Sequence, residues 1–208
     1  MKKSILFIFT ACFLFTTSCS DFLDEEHKTK YSSEYVFGTP EGLKLAVNAL
    51  YALQRYYAND TENATIFALE RGTDLAVTNG GTGNFYGIYD PNYLKPSASQ
   101  VGFMWRTMYQ IIGKANEIIA AAEDLEDTPS LRATVSEAKC FRAQSYFLLY
   151  RTFDRIWLNI QPTTAENVND PRDFHAASEK EVFDLIYEDL EYAITNLDWV
   201  SDEAGRFT

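Results

Sequence analysis

The stretch FMWRTMYQIIGKANEIIAAAEDLE, residues 103–126, constrains the fold more than any other part of the chain. Met104, Met108, Ile111, Ile112, Ala115, Ile118, Ile119 and Ala122 recur at steps of three and four, which places them along one face of a helix. A strand would need strict alternation, and these residues do not alternate. An apolar face of that length has to be covered, so further helices must pack on it.

Three other segments have the same character. FGTPEGLKLAVNALYALQRYY opens with Thr39 as N-cap, Pro40 at the first helical position and Glu41 in the first turn, and carries Leu43, Val47, Leu50, Leu53 and Tyr57 at helical spacing. Thr128 and Pro129 repeat the signal before PSLRATVSEAKCFRAQSYFLLYRTFDRIW, in which Leu131, Val135, Ala138, Phe141, Ser145, Leu148, Leu149 and Phe153 face inward. Small Ala138 and Ser145 among large neighbours imply the close approach of another helix. Ser178 and Glu181 form a capping box ahead of a fourth stripe, Val182, Ile186, Leu190, Ala193 and Leu197. Between these segments, residues 59–102 hold the turn signals NDTEN, TNGGTGN and YDPNY, and the stretch up to Ala177 is rich in Asn, Thr and Pro. The expected fold is therefore all-α: TPR-like antiparallel helical hairpins with an irregular, aromatic-rich loop region.

The N-terminus is of another kind. MKKSILFIFTACFLF joins two lysines to an apolar stretch from Ile5 to Phe15, about eleven residues where a bilayer span needs roughly twenty. This is a secretory leader rather than a retained anchor. Thr16, Thr17 and Ser18 then run directly into Cys19, the layout of a bacterial lipobox, although Thr16 stands where Leu is usual. Lipidation needs a thiol because a thioether to diacylglycerol has to form under mild conditions. Residues 1–18 are read as a lipoprotein signal peptide, Cys19 as the lipidated first residue, and residues 19–36 as an acidic tether. The alternative is an ordinary secreted chain whose Cys19 is a free or paired thiol. Of the three cysteines, Cys12 leaves with the leader and Cys19 is consumed, so Cys140 remains alone and is expected to be a small buried hydrophobe.

The rest, residues 37–208, is long enough for one domain with a core, and 46% hydrophobic with 15% aromatic residues is a globular composition. Without Lys2 and Lys3 the chain has 16 basic against 30 acidic residues, a formal charge near −14. Such a surface repels phosphate backbones and excludes nucleic acid as a partner.

Taken together, SCSDFLDEE after the leader, the spacing of Trp105, Tyr109, Ile112 and Asn116, the helices AKCFRAQSYFLLYRTF and EVFDLIYEDLEYAITNL, and the closing GRFT resemble the SusD/RagB family of outer-membrane nutrient-binding lipoproteins. The resemblance covers essentially the whole chain. Where family members commonly continue RLYGDVPL, this chain reads RTFDRIWLNI. Family members are also several hundred residues long, so residues 37–208 are expected to be the N-terminal part of a SusD-like helical domain. What the resemblance implies is a glycan-binding protein without catalysis or cofactor, anchored in the outer membrane through Cys19 and exposed at the cell surface. A TonB-dependent transporter of the SusC type is the implied partner.

Sugars present hydroxyls around apolar C–H faces, so their sites need flat rings with carboxamides or carboxylates at the edges. TGNFYGIYDPNY supplies that mixture in a loop, making Asn84, Phe85, Tyr86, Tyr89, Asp90, Asn92 and Tyr93 the candidate glycan-binding residues. The bland reading is that these rings cap the helical core. Trp105, Tyr109 and Asn116 lie along one helix and are expected to pack helices and satisfy a buried turn. His27 and His175 lack metal-ligand spacing, and neither a zinc-protease motif nor a nucleophile elbow is present. Two other classes stay open at this point: a lipid-anchored helical adaptor that binds protein, and, more distantly, a secreted hydrolase.

Overall fold

Residues 103–122 do form the inner face expected of them. The computed structural model describes residues 31–59, 99–164, 166–171, 174–201 and 203–208. It contains α1 (Ser33–Gly38), α2 (Pro40–Asn59), α3 (Ser99–Ala122), α4 (Pro129–Thr152) and α5 (Glu179–Asn196), and no strand occurs among the described residues. These helices belong to one unit, Ser33–Thr208. On α3, Met104, Met108, Ile111, Ile112, Ala115 and Ile118 are buried, with Ile119 and Ala122 packed at the edge. At about 1.5–3 kcal/mol for each large apolar side chain taken out of water, this face alone holds α3 in place.

Helix α4 is the central element. It packs against α3 on one side and α5 on the other and also touches α2. Burial therefore runs round most of it: Leu131, Phe141, Tyr146 and Leu149 are enclosed, and so are Ser136, Glu137, Lys139 and Arg142. Ala138 and Ser145 are buried, as their small size requires where helices approach closely. Cys140 is buried and free. The chain turns from α3 to α4 through residues 123–128, where the amides of Glu123 and Leu125 donate to Ala120 and Ala122.

The caps match the local sequence. Thr39 Oγ1 accepts from the Gly42 amide at 3.0 Å, and Thr128 Oγ1 accepts from the Leu131 amide at 3.1 Å. The Ser178–Glu181 box is complete: Ser178 N–H donates to Glu181 Oε2 at 2.7 Å, and Glu181 N–H donates to Ser178 Oγ at 3.3 Å.

Three features differ from the expectation. Ser33–Gly38 is helical, although residues up to 36 read as tether; a Cβ on Gly42 would lie 2.2 Å from the Tyr35 carbonyl oxygen, so glycine lets α1 sit on α2. Helix α4 stops at Thr152, with Phe153, the last residue of the expected inward stripe, extended (φ −120°, ψ 135°) as its C-cap. On α5, Leu190 is 38% exposed while its neighbour Asp189 takes the fully buried position.

The C-terminal GRFT folds back on α2 and α4. Gly205, at φ +85°, makes the turn. Arg206 then reaches Asn48 Oδ1 at 2.8 Å and Glu137 Oε1 at 2.9 Å. Tyr51 donates its hydroxyl proton to Glu137 and accepts the Phe207 amide at 2.9 Å. Burial, reinforced by the hydrogen bond to Glu137, pushes the Tyr51 phenol well above its ordinary range.

Candidate functional site

The candidate glycan residues Asn84, Phe85, Tyr86, Tyr89, Asp90, Asn92 and Tyr93, and the lipidation residue Cys19, lie outside the described residues. The helices that lead into and out of residues 60–98 are described. Near the end of α2, the Tyr57 ring is parallel to Phe103 of α3 with centroids 6.4 Å apart. Tyr57 is buried and its hydroxyl has no hydrogen-bond partner among the described residues. Burial pushes that phenol up to about 12.

The second constructed region follows α4. Residues 156–159 pass beneath three side chains from two helices. Tyr109 Oη donates to the Trp157 carbonyl at 2.8 Å and accepts the Trp157 amide at 2.9 Å. Tyr146 Oη treats Asn159 in the same way, donating at 2.9 Å and accepting at 2.8 Å. Asn116 Nδ2 adds a bond to the Asn159 carbonyl at 2.6 Å. Half-buried backbone outside helix and sheet needs partners for the amides and carbonyls that water does not reach, and each phenol supplies one donor and one acceptor. Burial holds the Tyr109 and Tyr146 phenols above their ordinary value, partly offset by these bonds. The expectation that Trp105, Tyr109 and Asn116 pack helices and satisfy a buried turn is met by Tyr109 and Asn116. Trp105 is 36% exposed and rests edge-on against Phe153.

Behind this clamp stands a buried ionic cluster. Arg142 donates from NH1 to Asn116 Oδ1 at 2.8 Å and grips fully buried Asp189 through Nε and NH2, both at 2.7 Å. Lys139 adds a third contact to Asp189 at 2.9 Å. Asp189 is thus shared by two cations, and Asn116 links the cluster to residue 159.

Two concavities open beyond this frame. One, of about 400 Å³, is lined by Trp157, Asn159, Gln161, Asn167, Asp170 and His175 among others. Trp157 lies over Tyr109 at 6.3 Å and meets Phe174 at 4.6 Å between centroids. Asn167 is committed to the loop, accepting from the Thr164 amide and donating to the Pro162 carbonyl. The other, of about 650 Å³, is an apolar groove between α4 and α5 flanked by Phe147, Tyr187, Ile194, Trp199 and Phe207. Ile194 is 75% and Trp199 93% exposed along it. An apolar face of this kind is what a helical array expecting further hairpins would present.

The sequence reading passed over Asn159, Gln161, Asp170 and Phe174 because they lie in a polar loop without a period. The available signal was the order Trp157, Asn159, Gln161, which in extended chain puts a ring and two carboxamides on one side. Among the described residues, no group of His, Cys, Asp and Glu could hold a metal ion, and no helix is long and apolar enough to cross a membrane.

Residues 21–208 match the SusD-like family described as starch-binding and associating with the outer membrane. A SusD-like protein of Bacteroides ovatus is 27% identical over 100% of this chain and 37% of its own length. One from Formosa agariphila is 28% identical over 98% of this chain and 40% of its own. The chain thus spans about two-fifths of the length of the curated relatives it matches. Among solved structures, a laminarin-binding SusD-like protein superposes with a TM-score of 0.67 at 26% identity, covering 81% of this chain and 37% of that one. A structure with a xylogluco-oligosaccharide gives 0.62 at 22% identity over 77% of this chain and 30% of that one, a likeness of fold alone. With a family match over nearly the whole chain and an all-helical fold shared with solved members, the chain belongs to the SusD-like family.

Proposed function

We propose that this chain is part of a cell-surface lipoprotein that binds oligo- or polysaccharides and passes them to a TonB-dependent SusC-like transporter in the outer membrane. The observation that carries this reading is the family match over residues 21–208, to which the 26%-identical laminarin-binding relative adds a glycan ligand. Cys19 is its lipid anchor. Asn84, Phe85, Tyr86, Tyr89, Asp90, Asn92 and Tyr93 supply stacking rings and polar edges for sugar. A formal charge of −12 for the whole sequence suits a neutral glycan and opposes polyanions.

Calorimetry with laminarin and xyloglucan oligosaccharides tests the ligand. The wild-type chain binds at least one of them, and Tyr86→Ala, Tyr89→Ala and Tyr93→Ala combined weaken that binding at least tenfold, as lost stacking requires. Unchanged affinity in a folded triple variant removes the loop from the site. Labelling with a clickable fatty acid tests the anchor, since the label must vanish in Cys19→Ala.

The apolar groove between α4 and α5 favours a second reading, a lipid-anchored adaptor whose helices bind a protein segment. Glycan titration separates the two, because an adaptor gives no heat with any oligosaccharide.

A further inference from the structure

We propose that the cleft beside Trp157 is a sugar subsite, built from residues other than 84–93, that takes one or two pyranose units of a neutral glycan. This inference rests on the glycan-binding reading above and adds a place on the molecule to it.

Three observations converge on this cleft. The first is a ring platform. Phe174 is 70% exposed, yet its ring is set against Trp157 at 4.6 Å between centroids, at an angle of 54°. Trp157 lines the cleft, and Phe174, next in sequence to the lining residue His175, adds an exposed ring face beside it of the kind that the C–H face of a pyranose covers.

The second is a set of polar groups available beside those rings. The carboxamides of Asn159 and Gln161 make no hydrogen bond among the described residues, although both border the cleft. Asn167, another lining residue, has both ends of its carboxamide engaged in shaping the loop. Each open carboxamide supplies a donor pair and an acceptor on one plane, which suits neighbouring hydroxyls, and Asp170 adds an acceptor at the rim.

The third is rigidity. The backbones of Trp157 and Asn159 are each held by two hydrogen bonds to a tyrosine, half-buried Tyr109 and buried Tyr146, and Asn159 by a third from Asn116. Asn116 is fixed in turn by Arg142 on buried Asp189. Groups fixed before the ligand arrives lose less conformational freedom on binding. The volume of about 400 Å³ lies in the range of small-molecule pockets, roughly 300–1,000 Å³.

The test uses the whole chain with laminarin and xyloglucan oligosaccharides, read by calorimetry and by tryptophan fluorescence. Three variants are compared with wild type: Phe174→Ala, the double variant Asn159→Ala/Gln161→Ala, and Tyr86→Ala/Tyr89→Ala/Tyr93→Ala. The first two replace side chains that hold no structural hydrogen bond, and an unchanged melting curve verifies their folding. Each lowers affinity by about 3- to 30-fold, the loss of one stacking ring or of two modest hydrogen bonds. The fluorescence change on binding is also reduced in Trp157→Phe. If wild type binds while Phe174→Ala and the double variant bind within about twofold of it, the subsite is wrong and the glycan reading stands. If wild type binds neither oligosaccharide, both fall together.

Discussion

Asp189 has no solvent exposure, and two cations, Arg142 and Lys139, close on it at 2.7 and 2.9 Å. Replacing it with alanine leaves both cations buried without a counter-charge, a change that costs roughly 3–5 kcal/mol. Urea unfolding of Asp189→Ala checks this, and a loss below about 1 kcal/mol means the cluster is not closed as described. The same change loosens Arg142 and through it Asn116, so amide exchange at Asn159 should quicken. Cys140 gives a pH test. Burial, helped by the charges of Asp189 and Glu137, pushes its thiol from the ordinary 9.0 up to about 11. A group whose folded pKa is raised contributes stability that is complete below its unfolded pKa and lost as the pH rises through the folded one. Stability should therefore hold up to about pH 9 and fall between 9 and 11, with Tyr57 extending the decline toward 12. Urea midpoints at pH 8 and pH 11 read the loss, and equal midpoints contradict it. Thiol reagents at pH 8 should leave Cys140 untouched in the folded chain and label it in urea. None of this cluster follows from apolar spacing, because Lys139, Arg142 and Asp189 look like any charged residues on a helix until the partner helix is in place.

Helix starts were legible because capping is local chemistry. Thr39–Pro40, Thr128–Pro129 and Ser178–Glu181 sit in sequence where their hydrogen bonds are made. Ser178→Ala removes the acceptor for the Glu181 amide and should cost about 1 kcal/mol, read as a lower thermal midpoint. The hydrogen bonds from Ser178 hold the Glu181 carboxyl below its ordinary value, so this support is present at neutral pH and lost as the pH falls through that lowered value. Gly42→Ala should be more disruptive than an exposed helical Gly→Ala change, which ordinarily stabilises by up to about 1 kcal/mol. Here the new Cβ would meet carbonyl oxygens of Tyr35 and Val36 at 2.2 and 2.6 Å, and α1 must shift away. Circular dichroism with limited proteolysis near residue 38 detects the shift, and unchanged cleavage argues against the close approach. Helix ends were less legible. Thr152 ends α4 because residues 156–159 bond to Tyr109, Tyr146 and Asn116, partners that are distant in sequence, and six-residue α1 is too short to show a period.

At the scale of the whole molecule, the layering of α3, α4 and α5 followed from three apolar stripes and their spacing, and the all-α class with it. The proposed glycan loop was legible in a different sense. Aromatic residues among carboxamides in a turn-rich stretch mark residues 84–93 by composition, which requires no knowledge of packing. The cleft at Trp157 escaped because its lining residues are brought together only by a loop closing over residues 156–159. The acidic balance of the chain separates the two broad ligand classes most cleanly: on the proposed glycan-binding reading the ligand is a neutral polysaccharide, and a formal charge of −12 opposes polyanions. Native electrophoresis of the unmodified chain through gels cast with laminarin, xyloglucan or a sulfated dextran therefore tests the central claim most directly. Retardation by at least one neutral polysaccharide, with free migration in sulfated dextran, is the predicted result. Equal migration in all the gels, or retardation by the polyanion alone, would contradict the account.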